Sequence, residues 1–281
     1  MGKLHGSLAV GRAESGRDLR ATADWALETF GPYAAIGAIL VLWESVARWG
    51  SIDPFLLPAF STVIARIFTD LMSGKLLLNT VLTLYRALTA FGIAASAGIV
   101  IGILMARVAS IGWFFTPIIS IGLPAPKIAL LPIFMLWFGL FDAAKIMMVA
   151  FSASFQIIAT TWAATSSVEK ELIWSARSLG ATDRQLLWQV ILPAALPQIL
   201  TGLQIAMPIC MIVVLVAEMV MGGQGLGAAM LQSSRFADSP GVFAGILEIG
   251  MLGFLIIKTL EMIRRRLLSW HQEATKDEPT V

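Results

Sequence analysis

Between Lys75 and Arg107 the chain has one charged residue, Arg86, in a run otherwise rich in Leu, Ile, Val, Ala and Gly. A bilayer core takes about 20 apolar residues per helix. Inside lipid every backbone N–H and C=O must find a partner within the chain, so such a run is a helix or it does not cross. The pattern recurs. Apolar segments at Tyr33–Trp49, Leu76–Arg107, Gly112–Gly139, Ala143–Thr165, Pro193–Met221 and Pro240–Arg264 are separated by short polar stretches. The sequence therefore predicts an all-α integral membrane protein with about six transmembrane helices. Hydrophobic residues make up 57% of the 281 and charged residues 14%; soluble domains carry about 25% charged residues. The predicted organisation is a segment 1–32, a membrane domain 33–267 and a tail 268–281.

Met1–Ala23 carries Lys3, Arg12, Arg17 and Arg20 but no apolar run of signal-peptide length, so the first apolar segment reads as a retained span. The Lys/Arg bias sets an orientation. With both termini in the cytoplasm, the inner set is Lys3, Arg12, Arg17, Arg20, Arg107, Lys170, Arg177, Arg184, Arg264, Arg265, Arg266 and Lys276. The outer set is Arg48, Arg66, Lys75, Lys145 and Arg235. Asp53–Lys75 is then an outside segment, opened by Pro54 and Pro58 and followed by a short amphipathic helix. The third apolar segment holds Pro117, Pro124, Pro126 and Pro132 and is expected to be broken.

One polar stretch stands apart: Ser166–Pro197, SSVEKELIWSARSLGATDRQLLWQVILPAALP. Ser166 and Glu169 have capping-box spacing, as do Thr182 and Gln185. Gly180 suits the left-handed residue that ends a helix, and Pro193 is expected to stop the second helix. In the first helix Leu172, Ile173, Ala176 and Leu179 share a face. Lys170, Trp174, Arg177 and Ser178 lie opposite, an aromatic flanked by cations as docking into another protein's groove requires. An ordinary loop helix has the same spacing, and both readings stand.

Within this stretch, Ala176, Gly180 and Val190-Ile191-Leu192-Pro193 resemble the EAA-loop signature of ABC-importer permeases. Trp174 stands where that pattern has Glu, Ser175 where it has the first Ala, and Val190 where it has Ile. Pro126-Lys127-Ile128-Ala129-Leu130-Leu131-Pro132, Leu136-Trp137-Phe138-Gly139, and Ala217-Glu218 with Gly225-Leu226-Gly227 resemble the sulfonate, taurine and nitrate branch. The similarity runs from about Leu57 to Trp270. It implies a type I importer-like permease fold in the cell inner membrane, working as two copies. It further implies two ATP-binding cassette subunits carrying ATP and Mg, and an extracytoplasmic substrate-binding protein. The ATPase-coupling residues would be Glu169, Lys170, Trp174, Arg177, Ser178, Gly180 and Ala181. The solute, a small anion, would pass a path or gate at Lys127, Glu218, Gly225 and Gly227.

The remaining features exclude other classes. No G-x-x-x-x-G-K-[ST] loop exists, so ATP hydrolysis is expected in a separate subunit. Gly222–Gly227 is the glycine-rich loop, expected as a flexible turn at a gate or docking rim. The lone Cys210 forms no internal disulfide, and His5 and His271 lie in the tails, so no histidine metal site or nucleophile–base pair is available in the spans. A net charge of +2 gives no case for nucleic acid. Glu44, Arg86, Lys127, Glu218, Glu248 and Lys258 are ionisable residues at membrane depth and candidates for function. Glu44 and Arg48 are spaced to pair, Arg86 and Lys258 to snorkel, and Lys127 to meet an anion or pair with Glu218. The stripe Ala90, Ala94, Gly98, Gly102 and Ala106 allows close helix packing, within one chain or between two. An ion-coupled secondary transporter using intramembrane carboxylates is the rival reading, though no inverted repeat is evident.

Overall fold

The structure, a computed structural model, describes residues 34–50 and 52–268. The predicted segment 1–32, Tyr33 and the tail from Ser269 onward lie outside the described residues. The chain divides into two compact units at Val63/Ile64.

In the first unit, helix α1 covers 34–49 and presents Ile36, Ile39, Val41 and Leu42 on its exposed surface. The predicted Glu44–Arg48 pair forms, and it does more than join one helix turn. Glu44 also accepts from the Ser61 backbone N–H at 3.0 Å and from the Ser61 hydroxyl at 2.9 Å. Ser61 lies in the first turn of α2 (Phe60–Met72), where a backbone N–H lacks a helical partner and a carboxylate is favoured.

The second unit is built on α3 (Lys75–Arg107), α6 (Asp142–Ser166) and a rod spanning Asp183–Met221. Three pairs along α3 and α6 fix their relative direction. Arg86 meets Asp142, Gly98 lies against Ile157, and Gly102 lies against Thr161. Residue numbers rise together, so the two helices are parallel. The chain between them must therefore return across the same thickness. It does so as a broken span: α4 (Ala109–Gly122), a 3-10 turn at Lys127–Leu130 and α5 (Leu131–Phe138), bent by 97°. Pro124 and Pro126 sit in the break and Pro132 opens α5, so no helical N–H is lost there.

The small-residue stripe of α3 is used inside the chain. A Cβ on Gly98 would come within 2.8 Å of Ile157, and one on Gly102 within 2.6 Å of Thr161. Gly202 of the rod approaches Thr160 in the same way. Ala87, Ala90, Met148, Val149, Ala153, Met207, Cys210 and Val214 complete the buried core.

The polar stretch departs from expectation in two places. Ser166 is the last residue of α6 and caps nothing; α7 (Lys170–Ser178) has Glu169 at its N-cap position without a side-chain capping bond. Pro193 does not stop a helix. The rod starts with α8 (Asp183–Gln185), widens into a π-helical turn at Leu186–Ile191 and continues as α9 (Leu192–Met221). The wider turn sits immediately before Pro193 and absorbs the missing N–H, which an unbroken α-helix could not do. The fifth predicted span thus begins about ten residues early, at Asp183.

After α9 come α10 (Leu226–Arg235) and α11 (Ser239–Leu267). Gly245 near the start of α11 packs on Met230 of α10, which closes onto the end of α9 at Leu215. Arg264 near the end of α11 donates to Gln204 in the first half of α9 at 3.2 Å, so α11 runs antiparallel to the rod. Among the described residues four helices are long and apolar enough to cross a membrane, and the bent pair makes a fifth crossing. This alternation brings the C-terminus of α3, helix α7 and Arg264–Arg266 to one end of the unit. The start of α3, the start of α6 and α10 lie at the other. Trp113, Leu136, Met251 and Phe254 are among the large apolar side chains left exposed, as contact with hydrocarbon allows.

Candidate functional site

Two polar constellations stand at opposite ends of the five-crossing unit. At the first, α7 ends as its sequence dictates. Gly180 takes a φ of 84°, its N–H donates to the Arg177 carbonyl at 2.9 Å, and the Ala181 N–H donates to the Ala176 carbonyl at 3.1 Å. These two bonds are the Schellman pattern, closed by a glycine that pays no Cβ penalty. One residue later Thr182 and Gln185 form a reciprocal capping box. The chain thus reverses between α7 and the rod within Leu179–Thr182, tied by local bonds at both edges.

The faces of α7 are narrower than expected. Ile173 and Ala176 are half-buried, but Leu172 and Leu179 are exposed, Leu179 at 86%. Glu169, Lys170, Trp174, Arg177, Ser178 and Gly180 are all exposed, Trp174 at 62%, while Ala181 is half-buried. Arg177 makes a 3.4 Å ion pair with Asp183, exposed on both sides and worth at most ~1 kcal/mol. With Trp188 also exposed on the adjoining turn of the rod, this end carries an aromatic and aliphatic surface rimmed by charge, the anatomy of an interaction patch.

The opposite end is cross-linked and buried. Glu218, wholly buried near the end of α9, accepts from Arg86 Nη1 at 2.6 Å, Thr83 Oγ1 at 2.9 Å and the Gly227 N–H at 3.1 Å. Arg86 Nη1 also donates to the Gln224 carbonyl at 2.6 Å, and its Nη2 meets Asp142 at 2.7 Å. Asn79 accepts from the Gly225 N–H, Thr83 from the Leu226 N–H, and Lys145 donates to the Gly222 carbonyl at 2.8 Å. The glycine loop is therefore held at Gly222, Gln224, Gly225, Leu226 and Gly227, and is not the loose turn expected. Gly225 is required twice over: its φ is 131°, and a Cβ would lie 2.3 Å from the Glu218 carboxyl carbon. At Gly227 a Cβ would lie 2.4 Å from the Leu215 carbonyl, so this glycine lets α10 close onto α9.

Sequence reasoning missed the key pairing. Arg86 does not snorkel; it is 3% exposed and is the counter-ion of Glu218. Lys127 is not Glu218's partner. Its amine donates to the Leu123 carbonyl at 2.8 Å and stands 5.4 Å from the Phe155 ring centre, at the broken span. Both functions of a buried pair, compensating charge and saturating lone pairs, fall to Arg86, Thr83 and the loop backbone. The available signal was Arg86 itself, a lone cation in a long apolar run. Lys258 is exposed and pairs with Glu261 at 3.0 Å.

Comparisons with known proteins identify the family. The family model described as "Binding-protein-dependent transport system inner membrane component" matches residues 98–269. The taurine transport system permease protein TauC of Escherichia coli (strain K12) is 32% identical over 243 residues, covering 85% of this chain and 88% of that protein. The formylaminopyrimidine transport permease protein ThiX of Halalkalibacterium halodurans is 33% identical over 240 residues, covering 84% and 93%. Among solved structures, an amino acid ABC transporter aligns with a TM-score of 0.57 at 21% identity, over 70% of this chain and 96% of that one. The inward-facing MetNI methionine ABC transporter aligns at 0.53 and 22%, over 68% and 98%. A parallel helix pair joined by a broken span, an exposed helix at one end and these matches lead to one conclusion: the chain belongs to the inner membrane components of binding-protein-dependent transport systems, multi-pass permease subunits of ABC importers whose ATPase is a separate subunit.

Proposed function

We propose that this permease works as two copies with two ATP-binding cassette subunits, which carry ATP and Mg, and takes a small acid from an extracytoplasmic binding protein. In this reading α7 is cytoplasmic, both termini are cytoplasmic, and the α10 end faces outward. The gathering of Arg107, α7 and Arg264–Arg266 at one end supports that orientation, since cytoplasmic ends carry the cationic excess.

The observation that carries the proposal is mechanical continuity. Trp174 on α7 is exposed and ready to dock, and the Gly180 turn joins α7 to an unbroken rod, Asp183–Met221. At ~1.5 Å per residue the rod reaches ~58 Å, and near its far end Glu218 grips the Gly222–Gly227 loop through Arg86 and Thr83. Movement of the ATPase pair against Glu169, Lys170, Trp174, Arg177, Ser178, Gly180 and Ala181 is delivered along the rod to Glu218, Gly225 and Gly227. Two states of the outer loop are thereby biased by a cytoplasmic binding event. Lys127, in the break of the bent span, is the cation available to an anion on the path.

Reconstitution with the ATPase subunit tests the reading. Trp174→Ala and Gly180→Val should leave membrane insertion intact but lose assembly or solute-coupled ATP hydrolysis. Uptake driven by an ion gradient alone, with both variants unaffected, would overturn it.

A further inference from the structure

A cavity of about 400 Å³ lies between α2, the start of α3, α10 and α11, and adjoins the Arg86–Glu218 network only through Asn79. Its lining includes Glu248, about 14 Å along α11 from its start at Ser239 by helix rise. Gly245, one turn earlier, makes room by packing directly on Met230: a Cβ there would lie 3.0 Å from the Met230 side chain. One carboxylate oxygen of Glu248 is removed from solvent and accepts no hydrogen bond. A carboxylate at such depth is costly unless partnered.

The obvious counter-ion is already taken. Arg66 forks between Asp70 at 2.8 Å and Asp238 at 2.7 Å, and the hydrogen bond it donates to Asp70 leads the effects that hold its guanidinium above the ordinary arginine pKa. Asp238 is fixed in turn, accepting from the Gly241 N–H at 3.1 Å at the start of α11. Lys75, an exposed residue, also lines the cavity, and its amine makes no hydrogen bond or ion pair among the described residues. The cavity lining thus offers a half-buried carboxylate with one buried oxygen lacking a donor, and an uncommitted ammonium. Its volume falls in the lower part of the range for small-ligand sites, ~300–1,000 Å³.

The geometry points to a binding site for a small zwitterion, with its ammonium group on Glu248 and its acid group toward Lys75. A purely anionic solute would leave Glu248 unsatisfied, and a simple amine would leave Lys75 unused. The assignment rests on the solute-permease reading and narrows its substrate class to acids that also carry an amine.

Equilibrium binding to the full chain in lipid nanodiscs, without ATP or the ATPase subunit, tests it with three probes of similar size: taurine, ethanesulfonate and ethylammonium. Taurine should bind saturably, and each single-charge probe more weakly by about ten-fold or more, the worth of one charged hydrogen bond. Glu248→Gln, which keeps the shape and hydrogen-bonding groups of a protonated glutamic acid, should weaken taurine about ten-fold and leave ethanesulfonate unchanged. Lys75→Gln, at an exposed position, should weaken taurine and ethanesulfonate alike and leave ethylammonium unchanged. Elution profile and thermal midpoint establish that each variant is folded. Absence of saturable taurine binding to the wild-type chain overturns the site, as does wild-type affinity in folded Glu248→Gln. Lost binding with intact ATPase coupling defeats this assignment alone; intact binding with failed coupling defeats the transport reading alone.

Discussion

The two ends of the five-crossing unit solve opposite problems. Around Glu218 the polar groups of four segments satisfy one another: Arg86, Thr83, Asn79, Asp142, Lys145 and the loop backbone share at least eight hydrogen bonds or ion pairs. Around α7 the bonds are local turns and caps, and the large side chains Trp174, Leu179 and Trp188 are left exposed. A buried charge network has to be completed within the chain, because an unsatisfied buried charge is more costly than almost any surface defect. A docking surface has to remain incomplete until its partner arrives. Rigidity at one end and an unfilled surface at the other are what the lever proposed above, between a partner and a gate, requires.

The largest effect expected from breaking this contrast is at the network. Arg86→Ala should lower stability by about 3–5 kcal/mol, because it strands Glu218 in the interior. Denaturant or thermal unfolding in detergent measures it. Replacing both partners by Met should cost less than either single change, since no buried charge is left behind; equal or greater loss in the double variant would mean that packing, not charge, dominates there.

Gly225→Ala comes next, at about 1–3 kcal/mol, from a disfavoured positive φ together with collision against the Glu218 carboxyl. The same assay reads it, and Glu218→Ala should relieve part of the steric share. Gly180→Ala should cost only about 1 kcal/mol, since its φ is positive but no atom lies within 4 Å of the added Cβ. A loss as large as that of Gly225→Ala would show that the α7 turn is packed as tightly as the loop. Trp174→Ala should change the stability of the isolated chain least, within about 0.5 kcal/mol, as for other exposed positions. Tryptophan fluorescence should report Trp174 exposed in the isolated subunit and shielded once the ATPase binds. A destabilisation above that range would make Trp174 a folding residue instead of a docking one.

What the sequence alone makes legible depends on distance along the chain. The crossings from Leu76 onward, the broken third span, the Gly180 reversal and the Thr182–Gln185 box all rest on groups within a few residues of one another, or on the apolar length of one segment. The local readings that failed, Ser166 as a cap and Pro193 as a stop, failed because neighbouring elements overrode them. Helix α6 ran on to absorb Ser166, and the π-helical turn at Leu186–Ile191 accommodated the proline. Intrinsic preference is a weak prior against such continuations.

The sequence by itself determined that this chain crosses a membrane as helices, because apolar length and backbone hydrogen bonding leave no other solution. It also determined where the exposed α7 helix ends, since a glycine turn acts within a single turn of chain. Only the tertiary structure decided that Glu218 pairs with Arg86, 132 residues away, and not with Lys127. It likewise decided that Glu248 lines a cavity whose arginine is already engaged. Ion pairing is chosen by which helix faces meet, and that choice rests on small residues such as Gly98 and Gly102, whose lack of bulk sets how closely, and in which register, α3 and α6 approach.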